Sequence, residues 1–242
     1  MTGTLRAART SALLLFTAAL AGQHAPAPPR TPEPGNTAAT RATHAPQPKL
    51  PPLVAWLHVQ LGNRAFVHSR EACEPPPPLE PRPAGAGRYV CAVLICADAD
   101  FAVAERLGLL REDVLELRVP GPFVSPETTA LLARVVRDER LSLILVLGHD
   151  DCRSLAADAA DADDALGRRV RALQRDAARH GESLERLLLL RQSEQLLAAS
   201  AFLRDQVDAD ELRVLPGLCR TESGAIVWQH RRAQGLPLAP VK

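Results

Sequence analysis

Two short and almost continuous apolar runs constrain the fold of this chain more than any other feature. They span residues 90–95 and 141–147 and consist mainly of Val, Leu and Ile. Each run is too short for a buried helix, and continuous apolar character is typical of strands that are covered on both faces, as in a parallel sheet. A further strand is predicted between them, at 114–119. The sequence therefore predicts a domain built on a parallel sheet.

Helical patterns alternate with these strands, and an antiparallel hairpin closes the chain. Helices are predicted over 53–70, 101–109, from Ser125 onwards, 157–180 and 184–202, and the hairpin over 212–218 and 225–228. Ser125, Pro126 and Glu127 suit the first turn of a helix, and Gly224 supplies the positive φ of a tight turn. The predicted fold class is α/β: a parallel β-sheet core of about four strands flanked by helices, with an N-terminal helix and a C-terminal antiparallel hairpin or edge strand.

The first fifty residues have the pattern of an exported protein. Arg6 and Arg9 precede an apolar run at 12–20 that ends in small residues, which is typical of a secretory signal peptide. The run is about half of the ~20 residues that span a bilayer, so no stable membrane span is expected. We predict export, to the periplasm, although a disordered start with a chance apolar patch is an alternative. The predicted organisation is a signal peptide (1–21), a Pro-rich linker (22–52), one folded domain (53–232) and a tail (233–242).

Charge and aromatic content argue against a nucleic-acid partner. The chain has 29 Lys and Arg against 28 Asp and Glu, and only 3% aromatic residues. Binding to nucleic acid uses a basic surface, and single-stranded bases stack on aromatic side chains. The composition provides neither.

Candidate metal ligands follow the two apolar runs. Cys96 comes directly after the first run, and His149 and Cys152 come after the second. Because the binding crevice of an open parallel sheet lies at the carboxyl ends of its strands, we expect these side chains to converge. Thiolates and imidazole are donors that zinc prefers, so the sequence predicts a zinc site at this edge. A disulfide between Cys96 and Cys152, with His149 as a bystander, is the alternative in an oxidising compartment.

Several segments resemble motifs of the β-class carbonic anhydrases. Cys-Ala-Asp-Ala-Asp at 96–100 is similar to the family's Cys-x-Asp-x-Arg, and Gly-His-Asp-Asp-Cys at 148–152 is similar to its Gly-His-x-x-Cys. Residues 61–66 resemble its first-helix motif, and 214–217 with 221–227 resemble its closing hairpin. The resemblance implies a zinc lyase that hydrates carbon dioxide reversibly to bicarbonate by zinc-bound hydroxide. It also implies a homodimer or a higher homo-oligomer.

The resemblance assigns roles to two acidic residues but also reveals a departure. In the family, the Asp of the first motif accepts a hydrogen bond from the hydroxide or closes onto the metal, and the Arg holds it off the metal. Asp98 is thus expected as a catalytic residue and a fourth metal ligand, and Asp100, which occupies the Arg position, is expected as the second catalytic residue. Two like charges about 4 Å apart repel by ~4 kcal/mol at an effective dielectric of 20, which would raise one carboxyl pKa or turn Asp100 outward. Arg153 and Arg118 are candidate substitutes for the missing Arg.

Three functions remain open at this point. The first is a carbonic anhydrase, slowed because nothing obvious holds Asp98 off the metal. The second is a zinc-binding relative that has lost catalysis, and the third is a related zinc enzyme that acts on another small linear molecule. Cys73, Cys91 and Cys219 are left over, and the sequence does not reveal whether any two of them pair.

Overall fold

A computed structural model of the chain describes residues 49–75, 82–83, 86–161 and 163–229. The predicted signal peptide and C-terminal tail, and all but the last four residues of the predicted linker, lie outside the described residues. Within the described part, helix α1 begins at Pro52. No helix in this part combines the length and the apolar character that crossing a membrane requires.

Five strands form the central sheet, in the order β2-β1-β3-β4-β5. The first four are parallel, and β5 pairs antiparallel with β4. Every residue of β1 and β3 is buried, as their continuous apolar character predicted. The predicted fold class is confirmed. The strands are β1 (Cys91–Cys96), β2 (Val114–Val119), β3 (Leu143–His149), β4 (Arg213–Cys219) and β5 (Ile226–Trp228).

Seven α-helices accompany the sheet in the described part of the chain. They are α1 (Pro52–Glu71), α2 (Val103–Arg106), α3 (Pro126–Asp138), α4 (Ala157–Asp161), α5 (Ala165–His180), α6 (Leu184–Ala198) and α7 (Ala201–Asp208). The predicted cap of α3 is confirmed: the Ser125 hydroxyl accepts from the Thr128 amide at 3.2 Å, and the Thr128 hydroxyl accepts from the Ser125 amide at 2.8 Å. This reciprocal pair fixes the start of α3.

Three predicted helices are shorter than the apolar pattern indicated. The helix predicted over 101–109 is reduced to α2, because the chain turns at Gly108 with φ of 66°. The pattern at 157–180 is divided into α4 and α5, and Asp164 caps α5 by accepting from the Gly167 amide at 2.7 Å. The pattern at 184–202 is divided in the same way, since the Ser200 hydroxyl accepts from the Leu203 amide at 3.2 Å and starts α7. In the last two cases, a capping side chain starts a new helix where the apolar spacing alone does not show a break.

Alternate residues of the strands supply two separate cores. Successive side chains of a strand point to opposite faces, so β1 and β3 contribute to both. One core includes Trp56 and Val59 of α1 with Val93 of β1. The other includes Leu132 of α3 and Leu189 of α6. Full burial of such a side chain stabilises the fold by about 1.5–3 kcal/mol. Since both faces of the central strands are covered, these strands are held firmly, and so are the residues at their ends.

Candidate metal centre

The register of the sheet brings two of the expected ligands to the same edge. Cys96 is the last residue of β1 and His149 is the last residue of β3, and these two strands are neighbours with Ile95 opposite Leu147. Cys152 follows β3 in a turn where Asp151 adopts φ of 56°. Asp tolerates this left-handed conformation better than most residues do. The turn thereby brings Cys152 close to Cys96.

The three donor side chains form a tight and buried cluster. The ligand atoms of Cys96, His149 and Cys152 all lie within 4.8 Å of one another. The two sulfurs are 3.4 Å apart and the thiols are free, so the alternative of a disulfide is wrong for this structure. Two sulfurs bound to one tetrahedral zinc at about 2.3 Å would be ~3.8 Å apart. The cluster therefore has the donors and the spacing of a zinc site.

One nitrogen of His149 has no hydrogen-bond partner. Nδ1 lies 2.8 Å from the Asp150 carbonyl oxygen, to which it donates when the ring is neutral. Nε2 is buried and has no hydrogen-bond partner among the described residues. A donor bond at Nδ1 fixes the tautomer that leaves the Nε2 lone pair free for a metal. An unpartnered buried acceptor beside two thiols is the observation that best supports metal binding.

The pKa values of the two thiols are shifted in opposite directions. A hydrogen bond from Cys152, assisted by His149, lowers the pKa of Cys96 to about 4 against the opposing effect of burial. The same bond to Cys96, together with burial, raises the pKa of Cys152. The nearby Cys96 sulfur raises the pKa of His149, against the opposing effect of burial. Metal binding to such a site releases the remaining thiol proton, since thiolates are the form that ligates.

Apolar side chains surround the two sulfurs. Phe123, Leu155 and Leu188 are buried in the same cluster as Cys96 and Cys152. An apolar surrounding lowers the local dielectric and strengthens the attraction between thiolates and a cation. The sulfurs are thus placed where the binding of a dication is favoured over separate ionisation of each thiol.

Asp98 lies beside this cluster and accepts hydrogen bonds from Ser154, a residue that the sequence did not single out. Its Oδ2 accepts from both the amide and the hydroxyl of Ser154, each at 2.7 Å. Oδ2 is 4.0 Å from the Cys152 sulfur, and Asp98 is not among the three clustered donors. Burial opposes ionisation of Asp98, but the Ser154 bonds and the charge of Arg153 together lower its pKa. Its role as a metal ligand stays a prediction.

The Arg position of the resembling motif offers no partner to Asp98. Asp100 is exposed and makes no hydrogen bond or ion pair with a described residue, as expected if repulsion turns it outward. Arg118 is not a substitute, because its guanidinium bonds the Ala99 carbonyl, the Glu116 carboxylate and, at 2.8 Å, the Phe101 carbonyl. Arg153 acts on Asp98 through its charge.

A second support connects the ligand turn to the closing hairpin. Asp150 Oδ1 accepts from the Thr221 amide at 2.8 Å and from the Thr221 hydroxyl. Burial opposes ionisation of Asp150, but these bonds lower its pKa.

The three remaining cysteines do not pair: Cys73 is exposed, and Cys91 and Cys219 are buried free thiols.

Several solved structures with a similar fold are β-carbonic anhydrases. No model of a protein family matches the sequence, and no curated protein is significantly similar to it. Wild-type β-carbonic anhydrase CafD of Aspergillus fumigatus aligns with a TM-score of 0.53 and 16% identity, over 63% of this chain and 94% of that chain. A mutant of the same protein aligns with a TM-score of 0.53 and 18% identity, over 63% and 94%.

A β-carbonic anhydrase from Sordaria macrospora, described as tetrameric, aligns with a TM-score of 0.48 and 21% identity, over 60% of this chain and 82% of that chain. At these identities the comparison concerns the fold. The alignment with CafD covers 94% of that chain. The chain has the fold of the β-class carbonic anhydrases.

Proposed function

We propose that this chain is a zinc-dependent carbonic anhydrase that catalyses the reversible hydration of carbon dioxide to bicarbonate. The observation that carries the proposal is the convergence of Cys96, His149 and Cys152, with a buried and unpartnered Nε2, at the carboxyl edge of the sheet. The fold shared with β-carbonic anhydrases supports the same reaction.

The donor set suits zinc in particular. Two sulfurs and one imidazole nitrogen are borderline-soft donors, and three protein ligands leave a fourth position for a catalytic site. When bound, zinc would acidify a water molecule to a pKa of about 7 and so supply the nucleophile that carbon dioxide hydration requires. The two thiolates of Cys96 and Cys152 balance the charge of the dication.

Asp98 is the proposed acid–base partner in this site. Ser154 holds its carboxylate, and the lowered pKa keeps it ionised at neutral pH. An ionised carboxylate beside the donor cluster can accept a hydrogen bond from the attacking oxygen and orient it. Asp100, which is exposed, contributes at most through its charge.

One observation favours a second candidate, a zinc-binding relative with impaired catalysis. Asp100 stands where the resembling motif has Arg, and no described cationic side chain hydrogen-bonds Asp98. An Asp100→Arg variant separates the two candidates. A large gain in turnover would support the impaired site, whereas little change would support a site that works as it stands.

The decisive experiment measures metal content and carbon dioxide hydration on the same purified sample. We expect one zinc per chain and stopped-flow hydration well above the buffer rate. Cys96→Ser and His149→Ala should lose both zinc and activity, while Cys73→Ser, which removes an exposed free thiol, should keep both. Stoichiometric zinc without hydration would reject the proposed activity, and loss of zinc in Cys73→Ser would reject the assignment of the site.

Export and assembly are part of the proposal. The pattern of the first twenty-one residues supports export to the periplasm, and the family resemblance supports a homodimer or a higher homo-oligomer. Amino-terminal sequencing of the secreted chain and light scattering of the purified protein test the two statements. A chain that keeps its first residues in the cytoplasm would contradict export, and a monomer in solution would contradict assembly.

A further inference from the structure

Ser154 supplies both short hydrogen bonds to the Asp98 carboxylate, and the Cys152 thiol makes a longer contact of 4.0 Å with it. The amide and the hydroxyl of Ser154 each lie 2.7 Å from Asp98 Oδ2. Ser154 is buried, with 8% of its surface exposed. Hydrogen bonds to an ionised oxygen are shorter and stronger than neutral ones, so two of them on one atom define its position.

The Ser154 hydroxyl contacts both the carboxylate and the thiol cluster. Its oxygen is 3.6 Å from the Cys96 sulfur as well as 2.7 Å from Asp98 Oδ2. A cation among the three donors attracts the carboxylate, whose Oδ2 is only 4.0 Å from the Cys152 sulfur. Movement of Oδ2 onto that cation would require it to give up its bonds to Ser154.

The charged side chains near Asp98 do not restrain its carboxylate by hydrogen bonds. Arg118 is engaged by the Ala99 and Phe101 carbonyls and by Glu116. Asp100 has the wrong sign, and Arg153 acts through its charge without a hydrogen bond to the carboxylate. In the described part of the chain, the short hydrogen bonds to this carboxylate come from Ser154.

We propose that Ser154 is a positioning residue that holds Asp98 away from the metal and keeps the fourth coordination position open. The inference rests on the proposed function, because it assumes a cation held by Cys96, His149 and Cys152. In the resembling motif an Arg holds the Asp off the metal, and Asp100 at that position cannot do so. The inference assigns this role to Ser154, which follows the second motif. In a chain without this hydroxyl, Asp98 closes onto the ion and competes with exogenous ligands.

The test uses the cobalt(II)-substituted protein, whose visible absorption reports the ligand at the fourth position without any need for turnover. Thiocyanate is the probe, titrated at neutral pH. We expect wild type to bind thiocyanate with a clear spectral change. Ser154→Ala should bind it roughly tenfold or more weakly, because a charge-assisted hydrogen bond no longer restrains Asp98.

Two further variants separate positioning from a purely structural role. Ser154→Thr keeps the hydroxyl and should bind thiocyanate like wild type. The double variant Ser154→Ala/Asp98→Asn removes the competing carboxylate and should recover the wild-type affinity. A Ser154 that merely stabilised the turn would give no such recovery, and that result would overturn the inference.

Other outcomes also decide the matter. Unchanged thiocyanate affinity in Ser154→Ala overturns the inference. A wild-type spectrum that ignores thiocyanate, with a response gained in Asp98→Asn, overturns it too, since Asp98 then occupies the ion already.

Hydration rates on the zinc forms distinguish this inference from the proposed function. An inactive wild type with a Ser154-dependent cobalt response rejects only the function. An active wild type that matches Ser154→Ala in both measurements rejects only the positioning role.

Discussion

Asn63 connects helix α1 to the closing hairpin, and its removal should destabilise the domain. Its Nδ2 donates to the carbonyls of Arg106 at 2.8 Å and Gly224 at 2.9 Å, and its Oδ1 accepts from the Ile226 amide at 3.0 Å. In Asn63→Ala the buried Gly224 and Ile226 groups lose their partner at about 1–3 kcal/mol each. The partly buried Arg106 carbonyl can bond water and adds little. Alanine favours the helix by about 0.7 kcal/mol, so we expect a net loss of about 3 kcal/mol.

Urea unfolding at 25 °C in the presence of a chelator measures this loss without a contribution from bound metal. Arg64→Ala is the matched control, because Arg64 is an exposed neighbour on the same helix, and it should change the free energy of unfolding by less than about 0.5 kcal/mol. If Asn63→Ala lost less than 1 kcal/mol at an unchanged m-value, the reasoning from unsatisfied buried groups would be refuted.

Three further predictions concern the site and the hairpin. Since Asp150 has a lowered pKa, the bond from Thr221 contributes stability above the unfolded value of about 3.9 and loses it as pH falls through the folded pKa. Thr221→Val should therefore cost about 1 kcal/mol at pH 7 in urea unfolding, and the cost should decrease as pH falls through the folded pKa of Asp150; a constant difference would contradict this. Zinc at about a thousand times its dissociation constant should add ~4 kcal/mol to the free energy of unfolding, a gain that EDTA or Cys96→Ser abolishes in thermal unfolding. Gly224→Ala should cost about 2–4 kcal/mol in urea unfolding, because φ is 78° and a Cβ would lie 2.3 Å from Phe66; a smaller loss would mean that the turn relaxes.

The strands and the metal donors were predictable because each depends on local sequence. Continuous apolar runs have few interpretations other than buried strands, and the runs predicted at 90–95 and 141–147 correspond to β1 and β3. Cys96 and His149 end those strands. Once neighbouring parallel strands are assumed, the convergence of the donors follows from geometry alone.

Ser154 could not be found in this way, because its contact depends on the shape of a turn. It follows Cys152 by two residues, and only the folded turn brings it to Asp98, which lies in the turn after β1. The breaks that Asp164 and Ser200 introduce were readable in principle, since each is a capping residue. Apolar spacing across these breaks obscured them, which shows that a cap can divide a pattern that looks continuous.

The placement of Cys96 and His149 as terminal residues of neighbouring strands has a consequence for assembly. A register slip of one residue between β1 and β3 would displace a donor by about 3.3 Å along the strand and send its side chain to the opposite face. Cys96 and Cys152 are 56 positions apart in the chain, so the donor set does not preassemble locally. The proposed ion would therefore be retained only by molecules whose central strands are correctly aligned, so the metal-loaded fraction of a preparation would set a lower limit on the fraction of such molecules.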